Sequence, residues 1–425
     1  MQRDMRTAWT TAPTEHPAPP TQTSASLRVA FVNTHPIQYF APLYAHMTRN
    51  GIEITALYLS DFSIRGGHDK GFGQAVRWDI DLLEGYRSEF MGDAAKRREI
   101  GGFFSMIAPE LWSAIRRGAF DAVVIHGHSL AAHHVALAAA RASGTPVLTR
   151  GETHLRLARA NWRNAVRTPI LKTWYRAFDG VLAIGTANAR YYAAMGVSSD
   201  CLFQMPYTVD NARFMAACDS ARAPALRAET RQRLGIAGPG PAILYAAKFD
   251  PRKRPGDLLA AFAVLQRQGV DAHLVLVGSG ALESELRSRV TTGRIRNVIF
   301  PGFVNQSGLP AVYAACDVFV LPSENEPWGL AVNEAMCAGL PIVLSEEIGC
   351  AEDLVRDGVN GATFRAGDVD GLARALRSFL VDAHHAATAG AASRARIAEW
   401  SYAECTNGLR HAVETIRQRR RLERD

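Results

Sequence analysis

Residues 317–345 have the sequence DVFVLPSENEPWGLAVNEAMCAGLPIVLS, and this stretch decides the fold. Two short apolar runs, DVFVLPS and PIVLS, flank a segment with the apolar spacing of a helix, which ends at Gly339 and Pro341. Both runs are continuous rather than alternating, as in parallel strands that are buried on both faces of a sheet. The stretch therefore predicts a strand–loop–helix–strand unit of an α/β protein.

Similar units recur along the chain in two blocks. Further strands are predicted at LRVAFVN (27–33), EITALYL (53–59), DAVVIH (121–126), PVLT (146–149), GVLAIG (180–185), AILYAAKF (242–249), AHLVLVG (272–278) and NVIFPGF (297–303). Between the blocks, apolar periodicity weakens over 206–241, which ends in GPGP and is predicted to be a linker. A chain of 425 residues is also too long for one hydrophobic core. We therefore predict two Rossmann-like, doubly wound α/β domains, at 27–205 and 242–385, that face each other across a cleft, with C-terminal helices at 386–425.

Composition places the chain among globular proteins with a basic charge. It has 48 Lys and Arg against 41 Asp and Glu, a net charge of +7, which suits contact with phosphates or with an anionic membrane surface. A solvated, arginine-rich surface without such a partner is the stronger alternative. We find no aromatic–basic motif and predict no nucleic-acid partner. The six cysteines are scattered without a Cys-x-x-Cys pair, so we expect reduced thiols and a cytoplasmic protein, at most peripheral at the inner membrane face. Residues 1–26 have no apolar run of signal-peptide length and are predicted to be a disordered leader, and no run is long enough to span a membrane.

Two carboxylates flank the predicted helix start in the opening stretch. Glu326 lies in the loop after the strand, and Glu334 lies eight residues later on the helix. The first free N–H groups of the helix should fall at 328–330, where phosphate oxygens bind well. A carboxylate repels phosphate but accepts hydrogen bonds from sugar hydroxyls, so the pattern suggests a nucleotide sugar as the ligand. On spacing alone, a loop glutamate and an exposed helix glutamate without function remain the stronger alternative.

Two further segments lie at the same predicted sheet edge. AAKFDPRKRPGDLLAAF (246–262) brings Lys248 and Lys253 there, where cations can neutralise the charge that develops on a diphosphate leaving group. VLVGSGAL brings Gly278 and Gly280, which would let a donor ligand approach the backbone closely. A solvated basic loop and an ordinary strand-to-helix turn are the respective alternatives.

Taken in order, these segments resemble the family-4 type glycosyltransferases of GT-B fold. The resemblance covers KFDPRKRPGDLL, LVGSG, FPGFV, the opening stretch with its preceding LPAVYAAC, and DLVRDGVNG, roughly residues 242–380. Its most specific part is the Glu-x7-Glu pattern within EPWGLAVNE. MPYTVDNARF (205–214) is similar to the family's hinge segment, although Tyr207-Thr208 replaces the usual Asn-Gly.

The resemblance implies a retaining transferase that moves a hexose from a nucleoside-diphosphate sugar to a hydroxyl of a glycan or lipid-linked acceptor, as in polysaccharide biosynthesis. Glu326 would hold the donor sugar, and Lys248 and Lys253 would stabilise the diphosphate. Lys248 stands where relatives often have arginine, so it keeps the charge without the bidentate fork. No nucleophile is implied, and the leaving phosphate would help to deprotonate the acceptor. Further donor contacts are implied, namely Glu334 for the ribose, the amides of Trp328, Gly329 and Leu330, and Val304 and Asn305 near the base.

The first block is less like the family. VNTHPIQYFAPLY stands in place of the family's usual Gly-Gly loop and, with GGHDKGFGQAVRWDIDLLEGY (66–86), resembles a bacterial subgroup. This domain usually binds the acceptor in the GT-B fold. Polar residues that follow its predicted strands are therefore acceptor-side candidates, although each alone is more often structural: His35, His128, Arg150, Glu152 and His154.

Metal and redox chemistry are not expected. WDID (78–81) matches a metal-binding Asp-x-Asp, but it lies in an irregular loop, and GDVDG (367–371) matches equally well by chance. The histidines of HGHSLAAHH have no supporting carboxylate or cysteine set, and no predicted strand is followed by a full G-x-G-x-x-G. We therefore predict no metal and no cofactor, since the nucleotide sugar is a substrate. A nucleotide-sugar epimerase on the same fold and a non-catalytic nucleotide-binding protein remain alternatives.

Overall fold

The structure is a computed structural model that describes residues 26–69, 73–93, 101–157 and 162–425. The predicted leader, apart from Ser26, lies outside these ranges, as do residues 70–72 of the subgroup segment. The strands are β1 (Leu27–Asn33), β2 (Ile52–Tyr58), β3 (Gly67–Asp69), β4 (Gln74–Val76), β5 (Arg87–Phe90), β6 (Ala122–His126), β7 (Val147–Arg150), β8 (Gly180–Ala183), β9 (Leu202–Gln204), β10 (Ala242–Ala246), β11 (His273–Val277), β12 (Val298–Gly302), β13 (Val318–Leu321), β14 (Ile342–Ser345) and β15 (Gly361–Phe364). The α-helices are α1 (Phe40–Arg49), α2 (Phe62–Arg65), α3 (Glu110–Arg117), α4 (Ala131–Ala142), α5 (Trp162–Arg176), α6 (Thr186–Ala194), α7 (Asn211–Ala221), α8 (Pro224–Leu234), α9 (Pro255–Arg267), α10 (Glu283–Thr292), α11 (Leu309–Ala315), α12 (Leu330–Cys337), α13 (Ala351–Leu354), α14 (Val369–Leu380), α15 (Ala383–Ala398) and α16 (Tyr402–Leu422).

The first sheet has seven parallel strands in the order β5-β2-β1-β6-β7-β8-β9. In β1 every residue except Arg28 is buried, which matches the continuous apolar run that predicted it. The strand order reverses at β1, because β2 pairs on one side of it and β6 on the other. Ligands of such sheets bind at the carboxyl ends of the strands beside this reversal.

The second sheet has six parallel strands in the order β12-β11-β10-β13-β14-β15. Its order reverses between β10 and β13, whose residues Ile243 and Val318 are paired. The loops that follow these two strands carry Lys248, Lys253 and Glu326, so the basic and acidic candidates lie at the switch point. The predicted α/β fold with two doubly wound sheets is confirmed.

The stretch 206–241, predicted as a linker, contains helices α7 and α8. Arg227 and Arg231 of α8 contact Asp317, at 2.7 and 3.4 Å, just before β13. The Cys218 thiol of α7 lies 3.6 Å from the carbonyl oxygen of Pro310 in α11. Both helices therefore pack on the second sheet, and we assign them to the second domain.

The last two helices pack on different domains. Ser393 of α15 donates to the carbonyl of Asn360 in the second domain, at 3.1 Å. Arg417 of α16 pairs with Asp121 of the first domain, at 2.5 Å. The chain thus returns to its first domain at the end of α16, which has 21 residues. None of the helices in the described ranges is both long and apolar enough to cross a membrane.

Candidate active site

The two domains enclose a cleft of about 410 Å³. The first domain contributes His35, Gln38, Tyr39, Trp78, Glu152 and Tyr207, and the second contributes Lys248, Lys253, Glu326, Trp328, Gly329 and Leu330. Residues predicted for the donor side and for the acceptor side therefore share one cavity.

An ion pair marks the donor side of this cleft. The ammonium of Lys253 contacts the carboxylate of Glu326, and only 18% and 14% of the two side chains are exposed. Glu326 follows β13, while Lys253 ends a 3-10 turn whose amides donate to the Asp250 carboxylate. Because both charges are largely withdrawn from water, their attraction offsets part of the desolvation cost of each.

The amino end of α12 also lines the donor side. Gly329 caps the helix with a φ of +95°, a left-handed conformation that favours glycine. Gly329 and Leu330 line the cleft together with Lys248, whose carbonyl accepts a hydrogen bond from Tyr245 at 3.0 Å. The positive end of the helix dipole and two lysines therefore favour an anion in this part of the cleft.

The indole of Trp328 packs into the protein core. It is 2% exposed, donates from Nε1 to Asn333 at 3.0 Å and packs against Trp400 at 5.3 Å between ring centroids. Any contact of Trp328 with a ligand would therefore come from its backbone.

Glu334 is buried at the domain interface. The hydroxyl of Tyr313 donates to Oε2 at 2.9 Å, and the hydroxyl of Tyr39, from the first domain, donates to Oε1 at 3.2 Å. Burial raises the pKa of Glu334 to about 7, although the hydrogen bonds that it accepts limit the rise. A ribose hydroxyl would have to replace Tyr39 to reach Oε1.

Glu152 is the best-placed acceptor-side candidate. Its Oε1 accepts from the Tyr207 hydroxyl at 2.5 Å and lies 3.6 Å from Nε2 of His126. Burial acts to raise the pKa of Glu152, but the contacts with His126 and Tyr207 outweigh it and hold the pKa below its usual range. The guanidinium of Arg150 lies 5.3 Å from the centre of the Tyr207 ring, and its charge also lowers the pKa of Glu152. The cleft floor thus presents an ionised carboxylate.

His126 is a residue that the sequence analysis missed, and it takes the place expected for His128. His126 is the last residue of β6, at the carboxyl edge, so its side chain reaches Glu152. Gly127, at a φ of +100°, then turns the chain, and His128 lies beside Arg167 at 3.2 Å. Burial lowers the pKa of His128 to about 4. The strand end in DAVVIH was the signal that could have selected His126.

The other two candidate histidines have different surroundings. His35 lines the cleft, and its Nδ1 is 2.9 Å from the Thr34 hydroxyl. His154 is buried, with Nε2 2.9 Å from the carbonyl oxygen of Glu326 across the domain interface. Burial lowers the pKa of His154, which favours its neutral form. His154 therefore positions the loop that carries Glu326.

Close backbone packing requires glycine at both positions, Gly278 and Gly280. A Cβ on Gly278 would lie 2.1 Å from the Ala247 carbonyl oxygen, and one on Gly280 would lie 2.6 Å from that of Phe249. The glycines therefore allow the loops after β10 and β11 to approach each other, and neither lines the cleft. This packing supports the loop that carries Lys248.

Val304 and Asn305 lie at the domain contact near the subgroup segment. The Asn305 amide donates to the Arg77 carbonyl at 2.8 Å, and Ser307, two residues later, contacts Asp79. Val304 is half-buried, within reach of the Gly308 position. The first aspartate of WDID thus makes a domain contact. Across the described ranges, no three His, Cys, Asp or Glu side chains converge as a metal site would require.

Comparison with family models assigns both halves of the chain. Residues 43–213 match the model described as Glycosyltransferase Family 4, and residues 227–396 match the model described as Glycosyl transferases group 1. The first match covers most of the first domain and reaches the start of α7, and the second match lies in the second domain.

Sequence relatives include bacterial transferases. The chain is 32% identical over 238 residues to the GDP-mannose-dependent alpha-(1-6)-phosphatidylinositol monomannoside mannosyltransferase of Mycolicibacterium smegmatis, covering 53% of this chain and 60% of the relative. It is 30% identical over 306 residues to the D-inositol 3-phosphate glycosyltransferase of Streptomyces avermitilis, covering 68% of this chain and 64% of the relative. The chain thus spans less than two thirds of the length of either relative.

Solved structures share the fold at low identity. Anabaena HepE in complex with UDP superposes with a TM-score of 0.70 at 18% identity, covering 92% of this chain and 100% of the other. The sucrose-phosphate synthase of Thermosynechococcus elongatus has a TM-score of 0.65 at 18% identity, covering 93% and 99%. At 18% identity these comparisons show a shared fold.

Proposed function

The chain belongs to the family-4 type glycosyltransferases of GT-B fold, and on this premise we propose that it transfers a hexose from a nucleoside-diphosphate sugar to a hydroxyl of a glycan or lipid-linked acceptor, with retention of configuration. Relatives named for GDP-mannose and for phosphatidylinositol acceptors support this substrate class.

The observation that carries the proposal is the ion pair of Lys253 and Glu326 beside the amino end of α12. A bound donor would exchange this contact for two others. Its diphosphate would contact the ammonium of Lys253, and its sugar hydroxyls would donate to the carboxylate of Glu326. As the bond to the anomeric carbon breaks, negative charge grows on the leaving oxygen, where Lys253 and Lys248 stabilise it.

The acceptor would enter from the side of Glu152. Its ionised carboxylate would accept a hydrogen bond from the attacking hydroxyl and orient it, while Tyr207 and His126 hold the carboxylate in place. The departing phosphate would take the hydroxyl proton on the same face of the sugar, which retains the configuration. Because the two lysines meet the diphosphate charge, we propose that turnover needs no metal, and a chelator should leave the rate unchanged.

A donor panel tests this function. Purified protein is incubated with GDP-mannose, UDP-glucose and other nucleotide sugars, and both the melting temperature and the release of nucleoside diphosphate are measured. One donor should raise the melting temperature and be hydrolysed slowly. With that donor, Glu326→Ala and Lys253→Ala should each lower turnover on the order of 100-fold.

The control variant is Arg394→Ala, which removes a more exposed ion pair with Asp219, and neither of these residues lines the cleft. It should retain normal turnover. Near-normal turnover in both cleft variants would show that the site is misassigned. Conversion of the donor to an isomeric nucleotide sugar would indicate an epimerase, and the absence of any melting shift in folded protein would contradict nucleotide binding.

A further inference from the structure

The surface of the first domain has a concentrated apolar patch. Within the described ranges, ten large apolar side chains are exposed, and four of them fall within ten residues: Phe103 at 42%, Phe104 at 74%, Ile107 at 50% and Trp112 at 40%. Single exposed apolar residues are ordinary, but a contiguous cluster marks an interaction site. We call these four residues the 103–112 patch.

The local sequence exposes these side chains while burying their neighbours. Met106 and Ala108 are 1% and 0% exposed, so they already fill the core beneath the segment. On α3, Leu111 and Ile115 face the core, which leaves Trp112 on the outer side of the helix. The core is therefore filled without the side chains of the patch, which remain on the surface.

Aromatic contacts extend the patch sideways to α5. The Phe103 ring packs against Phe104 at 4.9 Å and against His134 at 5.2 Å, between ring centroids. His134 in turn contacts Trp174 of α5 at 4.3 Å. Ile170 lies one turn before Trp174 and is 63% exposed, so it adds an apolar side chain on the adjoining surface.

Basic residues accompany the patch. The Arg116 guanidinium lies 5.7 Å from the centre of the Trp112 ring, and Arg117 follows it at the end of α3. Residues 101–117 contain two basic residues and one acidic residue, Glu110. Tryptophan and phenylalanine beside arginine suit the boundary between lipid headgroups and acyl chains, and the positive balance suits anionic lipid.

We propose that the 103–112 patch docks the first domain onto the surface of an anionic lipid bilayer. The amide of Ala132, at the start of α4, donates to the Met106 carbonyl at 3.2 Å. This contact ties the patch to the segment that follows His126 and therefore to the cleft edge of the sheet. Docking there would bring the acceptor side of the cleft next to lipid headgroups. The docking itself does not depend on transferase activity, whereas delivery of a lipid-linked acceptor rests on the proposed function.

Vesicle binding by the full chain tests this proposal. The protein is mixed with phosphatidylcholine vesicles, with or without phosphatidylglycerol, and the bound fraction is measured by flotation. Wild type should bind the phosphatidylglycerol vesicles, and more weakly as salt is raised. Phe104→Glu should lower the partition coefficient on the order of tenfold or more, because it removes an inserted ring and adds a repelled charge.

The matched control is Val381→Glu, which also replaces an exposed apolar side chain with glutamate, at a 56% exposed site on the second domain. This variant should bind the vesicles as wild type does. Because Phe104 is 74% exposed, its variant should keep the wild-type melting temperature. Equal vesicle binding by wild type and Phe104→Glu would overturn the proposal. So would a dimer in solution that Phe104→Glu dissociates, since the patch would then be an interface between copies of this chain.

Discussion

At the scale of single residues, Glu334 links stability to pH. Its pKa is about 7 in the folded chain, whereas an unfolded glutamate has about 4.3. Between these values the unfolded chain releases a proton that the folded chain keeps, so the free energy of unfolding should fall as pH rises, by on the order of 3 kcal/mol. Glu334→Gln does not titrate and should lack this component. Denaturant unfolding of both proteins at pH 5 and pH 8 measures the difference, and equal pH slopes would contradict the buried, titrating carboxylate.

Tyr39 competes with the ligand proposed for the same carboxylate. Its hydroxyl donates to Oε1 of Glu334, so a ribose hydroxyl must displace it at the cost of one hydrogen bond. Tyr39→Phe removes that competitor and should tighten nucleoside-diphosphate binding roughly fivefold, as measured by calorimetry. In the Glu334→Gln background the same substitution should have a smaller effect. Unchanged affinity in the wild-type background would mean that the nucleotide does not reach Glu334.

Contacts of single side chains were the part of the structure that the sequence predicted least well. Glu326 and Lys253 are 73 positions apart, yet both follow strands at the switch point of one sheet, and general rules of α/β folds predict their proximity. The choice between His126 and His128 depended on the residue at which β6 ends, and strand ends are set by tertiary pairing. Tyr39 contacts Glu334 across the two domains, and no local pattern in either segment indicates such a contact.

At the scale of elements, the close approach of two loops predicts the effect of Gly278→Ala. A Cβ would lie 2.1 Å from the Ala247 carbonyl oxygen, at a φ of +136°, so the loop before Lys248 must move. We expect a loss of roughly 3 kcal/mol or more in stability, with weaker donor binding. Gly269→Ala is the control, because its φ is +78° but no atom lies within 4 Å, and about 1 kcal/mol is expected. Equal losses in the two variants, measured by denaturant unfolding, would show that backbone strain alone matters.

Elements were more predictable than residues, for a physical reason. Continuous apolar runs identified five of the seven strands of the first sheet and five of the six of the second, since a parallel strand buried on two faces needs no polar side chain. The three strands that were not predicted, β5, β9 and β15, are short and lie at sheet edges. The stretch 206–241 was harder, because α8 has a largely polar sequence and is held by ion pairs from Arg227 and Arg231 to Asp317 rather than by an apolar stripe. Weak periodicity therefore indicated a linker where the structure has two helices.

At the scale of the whole molecule, two carboxylates of the second domain accept hydrogen bonds from the first domain. Asp353 accepts from the amide of Thr186 at 2.9 Å, as Glu334 accepts from Tyr39. Burial raises the pKa of Asp353 to about 6, despite these hydrogen bonds. Opening of the cleft, as substrate entry requires, would return both carboxylates to water and lower both pKa values.

The sign of this linkage gives a prediction for domain opening. The closed form binds protons more tightly, so low pH favours closure, and raising the pH through 6 and 7 favours opening by about 1.4 kcal/mol for each pKa unit lost. Small-angle scattering should therefore give a larger radius of gyration at pH 8 than at pH 5.5. His154 also lies at the domain interface, and burial lowers its pKa, so it acts in the opposite sense, as one group against two carboxylates. A variant with both Glu334→Gln and Asp353→Asn should no longer expand as the pH rises, and a wild-type radius that falls or stays constant with rising pH would contradict the linkage.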